Sequence, residues 1–159
     1  MPSHVSEASR EQNPRRLVLQ LALRKAKDVA RRHPKAVVLG ADTIVVCCGE
    51  IIGKPRSLAD ARRILELLNG RWQEVYTGVA VVWAGGKESS ARVVKSRVLA
   101  RHLSPAQLSR LSGKHHDKAG AYAVQDRDDP FISRIEGDFT NVVGLPLETT
   151  RKLLQGHLG

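Results

Sequence analysis

Aromatic side chains are scarce: two each of Trp, Tyr and Phe make up 4% of the chain. No basic stretch is interleaved with them, so the stacking platforms of a single-stranded nucleic-acid binder are missing. Cysteine is nearly absent too. Cys47 and Cys48 adjoin one another in a strand-like run, where neighbours point to opposite faces and are poorly placed to pair. They read as small core residues, which excludes a disulfide framework and a redox pair. No apolar run approaches the length of a membrane span, the longest lying around Ile44 to Cys48, and the N-terminus has no apolar signal core. These absences lead to the expectation of a soluble, cytoplasmic protein with no membrane partner. Repeats, low-complexity tracts and linkers are missing as well. A chain of 159 residues, 42% of them apolar, can bury one ordinary core, so a single domain over residues 1–159 is expected.

Acidic residues are outnumbered, 16 Asp and Glu against 26 Lys and Arg, which leaves a formal net charge of +10. That excess favours a polyanionic partner, whether nucleic acid, an anionic membrane or a phosphorylated small molecule, and does not choose among them. The arginine pairs Arg15 and Arg16, Arg31 and Arg32, and Arg62 and Arg63 fall on helical segments, as on a solvated basic face. A basic nucleic-acid-binding module is the remote reading of the chain's function.

What is present is periodic. Pro14 to Ala30 carries Leu17, Val18, Leu21, Ala22, Ala26 and Val29 at helical spacing. Lys25 lies four residues after Leu21, so its stem sits beside the apolar stripe, an odd place for a purely solubilising lysine. Ala36 to Gly40 reads as a buried strand ended by a glycine, and Ile44 to Val46 as a second run, with Asp42 between them. Cys48-Gly49-Glu50 is a turn, Ile51-Ile52 a returning strand, and Gly53-Lys54-Pro55 the loop after it. Ser57 caps a helix through Leu68, with Asp60 at the capping-box position. Val75 to Trp83 and Arg92 to Ala100 form a hairpin through Ala84 to Lys87. Ser104, Pro105 and Gln107 begin a third helix with a Leu103/Leu108 staple. Lys118 to Pro146 is loop-rich, with strands near Tyr122 to Gln125 and Phe131 to Ile135. A last helix spans Leu147 to Gln155 with Leu147, Thr150, Leu153 and Leu154 on one face and Gly156 after it. Alternating helices and strands with one long hairpin argue for an α/β domain on a mixed sheet.

Asp42 after a buried strand, Lys54 in its loop, and Lys118 ahead of Tyr122 and Gln125 are the features that could carry acid–base chemistry. Each has an ordinary reading alone: a cap or satisfied acid for Asp42, a solvated loop residue for either lysine.

Their order is more specific. Gly40-Ala41-Asp42-Thr43, Gly53-Lys54-Pro55, Val75-Tyr76-Thr77-Gly78-Val79, the stretch Lys118-Ala119-Gly120-Ala121-Tyr122-Ala123-Val124-Gln125, and Asn141-Val142-Val143-Gly144-Leu145-Pro146 follow one another along the chain. Upstream lie Leu21-Ala22-Leu23-Arg24-Lys25-Ala26 and Pro2-Ser3-His4-Val5-Ser6-Glu7. This series resembles the Maf family of nucleoside triphosphate pyrophosphatases over residues 2 to about 155. The resemblance implies an elongated, twisted mixed sheet flanked by helices, with a cleft in which the α–β phosphoanhydride of a nucleoside triphosphate is hydrolysed with Mg²⁺ or Mn²⁺. It implies Asp42 as general base, Asp42 and Glu7 as metal ligands, and Lys25 and Lys54 as cations stabilising the leaving pyrophosphate. Lys118 would bind phosphate, and Thr43 and Gln125 would set base choice, matching the branch that prefers dTTP and UTP. A homodimer is implied as well.

The family's Ser-x-Ser-Pro-Arg-Arg loop has no counterpart, and Asn13-Pro14-Arg15-Arg16 reads as a helix start with surface arginines. The expectation is a chain without the family's first strand and its paired phosphate-binding arginines, which leaves an exposed sheet edge or core face. The alternative is an impaired chain that keeps the fold and binds nucleotide or a partner. Ser6, Gln73 and Asp126 stand where the family commonly has an acid, histidine and glycine respectively.

Overall fold

The computed structural model describes residues 11–112 and 131–158. In chain order the elements are α1 (Pro14–Arg32), β1 (Val38–Cys47), β2 (Glu50–Ile52), α2 (Leu58–Leu68), β3 (Trp72–Trp83), β4 (Glu88–Ala100), α3 (Pro105–Ser112), β5 (Ile132–Glu136), α4 (Phe139–Val143) and α5 (Leu147–Leu158). The strands form a five-stranded sheet in the order β2-β1-β3-β4-β5. β1 and β2 pair antiparallel with Val45 opposite Ile52, and β4 and β5 pair antiparallel with Val98 opposite Ile135. The α/β class inferred from the pattern is the one adopted. Among the described residues no helix is long and apolar enough to cross a membrane. The described residues pack as two compact units, one of residues 11–43, 76–94 and 144–158, the other of 44–75, 95–112 and 131–143.

In the first unit α1 starts where the sequence indicates. Pro14 occupies the first turn, where its missing N–H is harmless, and the Asn13 side chain accepts from the Arg16 N–H at 3.2 Å. Arg31 and Arg32 in the last turn suit the negative end of the helix dipole. The stripe facing the sheet is built from small residues: Ala22, Ala26 and Ala30 pack with Ala80 and Val82 of β3. Val79 and Val81, on the other face of β3, pack with Leu153 of α5. That two-sided burial explains why this strand reads as an unbroken apolar run.

Gly40 does not end a strand. β1 runs continuously from Val38 to Cys47, so Asp42 sits within a strand and not between two. The glycine serves helix–strand approach instead: a Cβ there would stand 2.7 Å from the Ala22 carbonyl oxygen and 2.9 Å from the Ala26 Cβ. Gly78 does the same on β3, where a Cβ would lie 2.6 Å from the Val18 carbonyl carbon. α5 departs from expectation in two ways. It continues through Gly156 to Leu158, and Leu147, expected on the buried face, is 59% exposed because it occupies the first turn.

The second unit gathers Val45, Ile52, Ile64, Leu65, Leu68, Val75, Val98, Leu108, Leu111 and Phe131 into one core. Ser57 caps α2, its Oγ accepting from the Asp60 N–H at 3.0 Å. The Asp60 carboxylate accepts from the Arg56 N–H at 2.9 Å, and this bond, followed by Arg63, holds its carboxyl below the usual range. At α3 the capping box is reciprocal: Ser104 N–H donates to Gln107 Oε1 at 2.9 Å and Gln107 N–H to Ser104 Oγ at 3.3 Å. The loop-rich stretch contains α4, which its β-branched residues concealed. Asp138 starts it, accepting from the Thr140 N–H at 2.8 Å and hydroxyl at 2.6 Å. The expected strand near Tyr122 to Gln125 lies outside the described residues.

The cysteines differ from expectation. Cys47 is buried, but Cys48 leaves the strand at φ 54° and is exposed, and its Sγ lies 3.7 Å from that of Cys47. The strand rule of opposite faces fails because the turn begins at Cys48. Burial, then the Cys48 thiol, push the Cys47 thiol up to about 11.

Two outcomes follow. Gly40→Ala forces α1 away from β1 and lowers unfolding free energy by about 1–3 kcal/mol in urea titrations, as overpacking does elsewhere. Iodoacetamide at mildly alkaline pH labels one cysteine of the folded chain, Cys48, and both only in denaturant, read by mass spectrometry.

Candidate active site

The first unit brings two of the sequence-inferred residues into direct contact. Lys25, on the fourth turn of α1, extends its ammonium to Asp42 on β1, Nζ to Oδ1 2.8 Å. The side chains are 22% and 12% exposed, so the pair is largely shielded without being sealed from water. Its placement follows from the glycine contact described above: Gly40 admits Ala22 and Ala26 against β1, and Lys25 and Asp42 lie one and two residues from those contact points. A lysine beside an apolar stripe was the signal, and a carboxylate on the strand beneath it is the reason.

Thr43 is fixed from two sides. Its Oγ1 lies 2.8 Å from the Thr77 Oγ1 of β3 and donates to the Gly144 carbonyl at 3.5 Å. In the short contact between the two hydroxyls either threonine can be the donor. Thr77 is fully buried. Gly144 adopts φ 128°, which a side chain would strain. Three of the motif segments therefore meet at one hydroxyl. Thr77 was not singled out by sequence reasoning, since a threonine in an apolar strand passes for a β-branched filler; its polarity within a fully buried run was the available signal.

Lys54 is exposed in the loop between β2 and α2 of the second unit. Glu7, Lys118 and Gln125 lie outside the described residues. Arg15 and Arg16 are exposed on α1, as expected, with the Arg15 guanidinium 5.6 Å from the Tyr76 ring centroid. Gln73 is buried and its amide donates to the Arg71 carbonyl at 3.3 Å.

An open cavity of about 520 Å³ borders Lys25 of the pair and is lined also by Val29, His33, Val37, Leu39 and Ala41 among others. Val37 and Leu39 are 47% and 41% exposed. β2 covers β1 only from Val45 to Cys47, so among the described residues the outer edge of 38–44 has no strand partner.

Among the described residues no three His, Cys, Asp or Glu side chains converge on a common point. A single carboxylate still suits one kind of metal: Mg²⁺ is usually held by one or two carboxylates together with substrate phosphates, and not by a protein cage. Asp42 fits that pattern.

Fold and site thus define an α/β protein with a lysine–carboxylate centre at the junction of a helix and a strand. The chain belongs to the Maf family: the family model described as Maf-like protein matches residues 1–157. Proteins named dTTP/UTP pyrophosphatase are similar to it along most of their length. That of Elusimicrobium minutum is 48% identical over 155 residues, covering 98% of this chain and 84% of the relative. That of Moorella thermoacetica is 46% identical over 156 residues, covering 96% and 80%. That of Deinococcus radiodurans is 40% identical over 153 residues, covering 95% and 77%.

Replacing Lys25 by Met keeps the stem and removes the charge, leaving the shielded Asp42 carboxylate without its lysine. Lys25→Met lowers unfolding free energy by about 1–3 kcal/mol, whereas Lys35→Met at an exposed position stays within about 0.5 kcal/mol, both by chemical denaturation.

Proposed function

We propose that the chain hydrolyses the α–β phosphoanhydride of dTTP or UTP, releasing the monophosphate and pyrophosphate, with Asp42 as general base. The observation that carries this reading is the Lys25–Asp42 pair, 2.8 Å apart, inside the Gly-Ala-Asp-Thr strand segment. The names of the similar proteins support the substrate class.

Asp42 accepts a proton from the attacking water as the new phosphorus–oxygen bond forms, and the α–β bridging bond breaks with its electron pair leaving on pyrophosphate. Lys25 orients the carboxylate while the ligand is absent. Lys25 and Lys54 are assigned the negative charge that grows on the departing pyrophosphate, where fixed cations lower the barrier more than they aid ground-state binding. Lys118 is assigned to phosphate binding. Thr43, held by Thr77 and Gly144, and Gln125 are assigned to the base, since an amide can donate to and accept from the imide edge of thymine or uracil. Asp42 and Glu7 would hold Mg²⁺ or Mn²⁺, which when bound neutralises phosphate charge and favours ionisation of water. A homodimer in the cytoplasm completes the proposal.

The test is pyrophosphate release from a panel of nucleoside triphosphates with Mg²⁺ or Mn²⁺. The expected result is turnover favouring dTTP and UTP, with Asp42→Asn reducing kcat by about 10²–10⁴, the range for loss of a general base. Unchanged turnover in Asp42→Asn sinks the assignment.

A further inference from the structure

A second cavity in the first unit, of about 520 Å³, lies between β4 and α5, and its walls include Trp83, Arg92, Thr149, Lys152, Leu153 and His157. Its volume falls within the range of small-molecule sites. None of the described residues assigned to hydrolysis lines it.

The wall chemistry is divided. On one side the Trp83 and His157 rings meet edge to face, centroids 4.5 Å apart, beside Leu153. This is an aromatic, apolar surface in a chain with few aromatics. The His157 Nδ1 is buried and finds no hydrogen-bond partner among the described residues.

The other side is cationic. Arg92 donates to the Ala91 carbonyl at 2.8 Å and has no carboxylate partner among the described residues. Lys152 lies 3.8 Å from Glu148, whose close bonds, 2.7 and 3.2 Å, go to Arg151. Both cations line the cavity without a tight ion pair holding them.

We propose that this cavity is a second binding site for a nucleoside monophosphate, its base against Trp83 and His157 and its phosphate between Arg92 and Lys152. A flat ring carrying an anionic group satisfies both walls at once, through ring stacking and charge-assisted hydrogen bonds. The choice of a nucleotide over another flat anion rests on the reading of the chain as a nucleotide hydrolase; the cavity and its two walls do not. A monophosphate is also the product that this reaction releases, so the site would report product.

Trp83 gives a local readout. In a Trp72→Phe background it is the sole tryptophan, and its fluorescence is titrated with dTMP, with thymidine and with inorganic phosphate. The expected result is a saturable change with dTMP, weakened about tenfold or more by Arg92→Ala/Lys152→Ala and unchanged by Asp42→Asn. Thymidine and phosphate should each bind about tenfold or more weaker than dTMP. No saturable change, a change indifferent to the loss of both cations, or thymidine or phosphate matching dTMP overturns the proposal. Loss of the signal in Asp42→Asn overturns it too, by assigning the signal to the hydrolytic site. Because binding is read without turnover, a chain that fails to hydrolyse triphosphates leaves this result standing, and failure here leaves hydrolysis standing.

Discussion

Helix α1 lies against β1 and β3 at a separation that side chains on those strands would forbid. Gly40 and Gly78 remove the obstructing Cβ atoms, and the facing Ala22, Ala26 and Ala30 keep the helix surface low. That approach brings the Lys25 ammonium within 2.8 Å of Asp42. Magnitudes settle which is cause and which is consequence. A partly exposed ion pair contributes about 1 kcal/mol or less. Burying Leu17, Val18, Leu21 and Val29 contributes about 1.5–3 kcal/mol for each. Packing therefore places the pair, and the pair does not place the helix. Asp42 is carried mid-strand, not on a loop, which suits the fixed placement that the proposed general base requires.

Much of the fold was legible because it rests on short-range chemistry. The Pro14 start of α1, the Ser57 cap and the Ser104–Gln107 box are each contained within a few residues; the two caps form their expected hydrogen bonds, and Asn13 adds one at the start of α1. The alternating faces of β3 are likewise written in its own sequence. The misreadings share a cause. Gly40 and Gly156 were read as terminators because glycine relaxes the backbone, but Gly40 is needed for what a distant helix requires of it, and Gly156 is carried inside α5. A local pattern cannot tell those uses apart. The exposure of Cys48 and the helix α4 were missed for a related reason, since a positive φ and an aspartate-started turn override strand-like residue types.

The site divides in the same way. Lys25 was visible as a cation beside an apolar stripe, and Asp42 as an acid among strand residues; their contact is a tertiary fact that no spacing encodes. Thr77 escaped notice because its role depends on Thr43, 34 residues away in sequence. The geometry of the first unit shows two separate contacts on neighbouring residues of β1: the Lys25–Asp42 pair, and the Thr43 hydroxyl held by Thr77 and Gly144.

Whether Lys25 and Asp42 act as one unit is the most direct question to put to this account. The measurement is kcat/KM for dTTP hydrolysis in Lys25→Met, Asp42→Asn and the double variant. If the pair works together, the double variant loses about as much as the more damaged single one, with strongly non-additive free energies. Losses that simply add, or a Lys25→Met enzyme with undiminished kcat/KM, would contradict it.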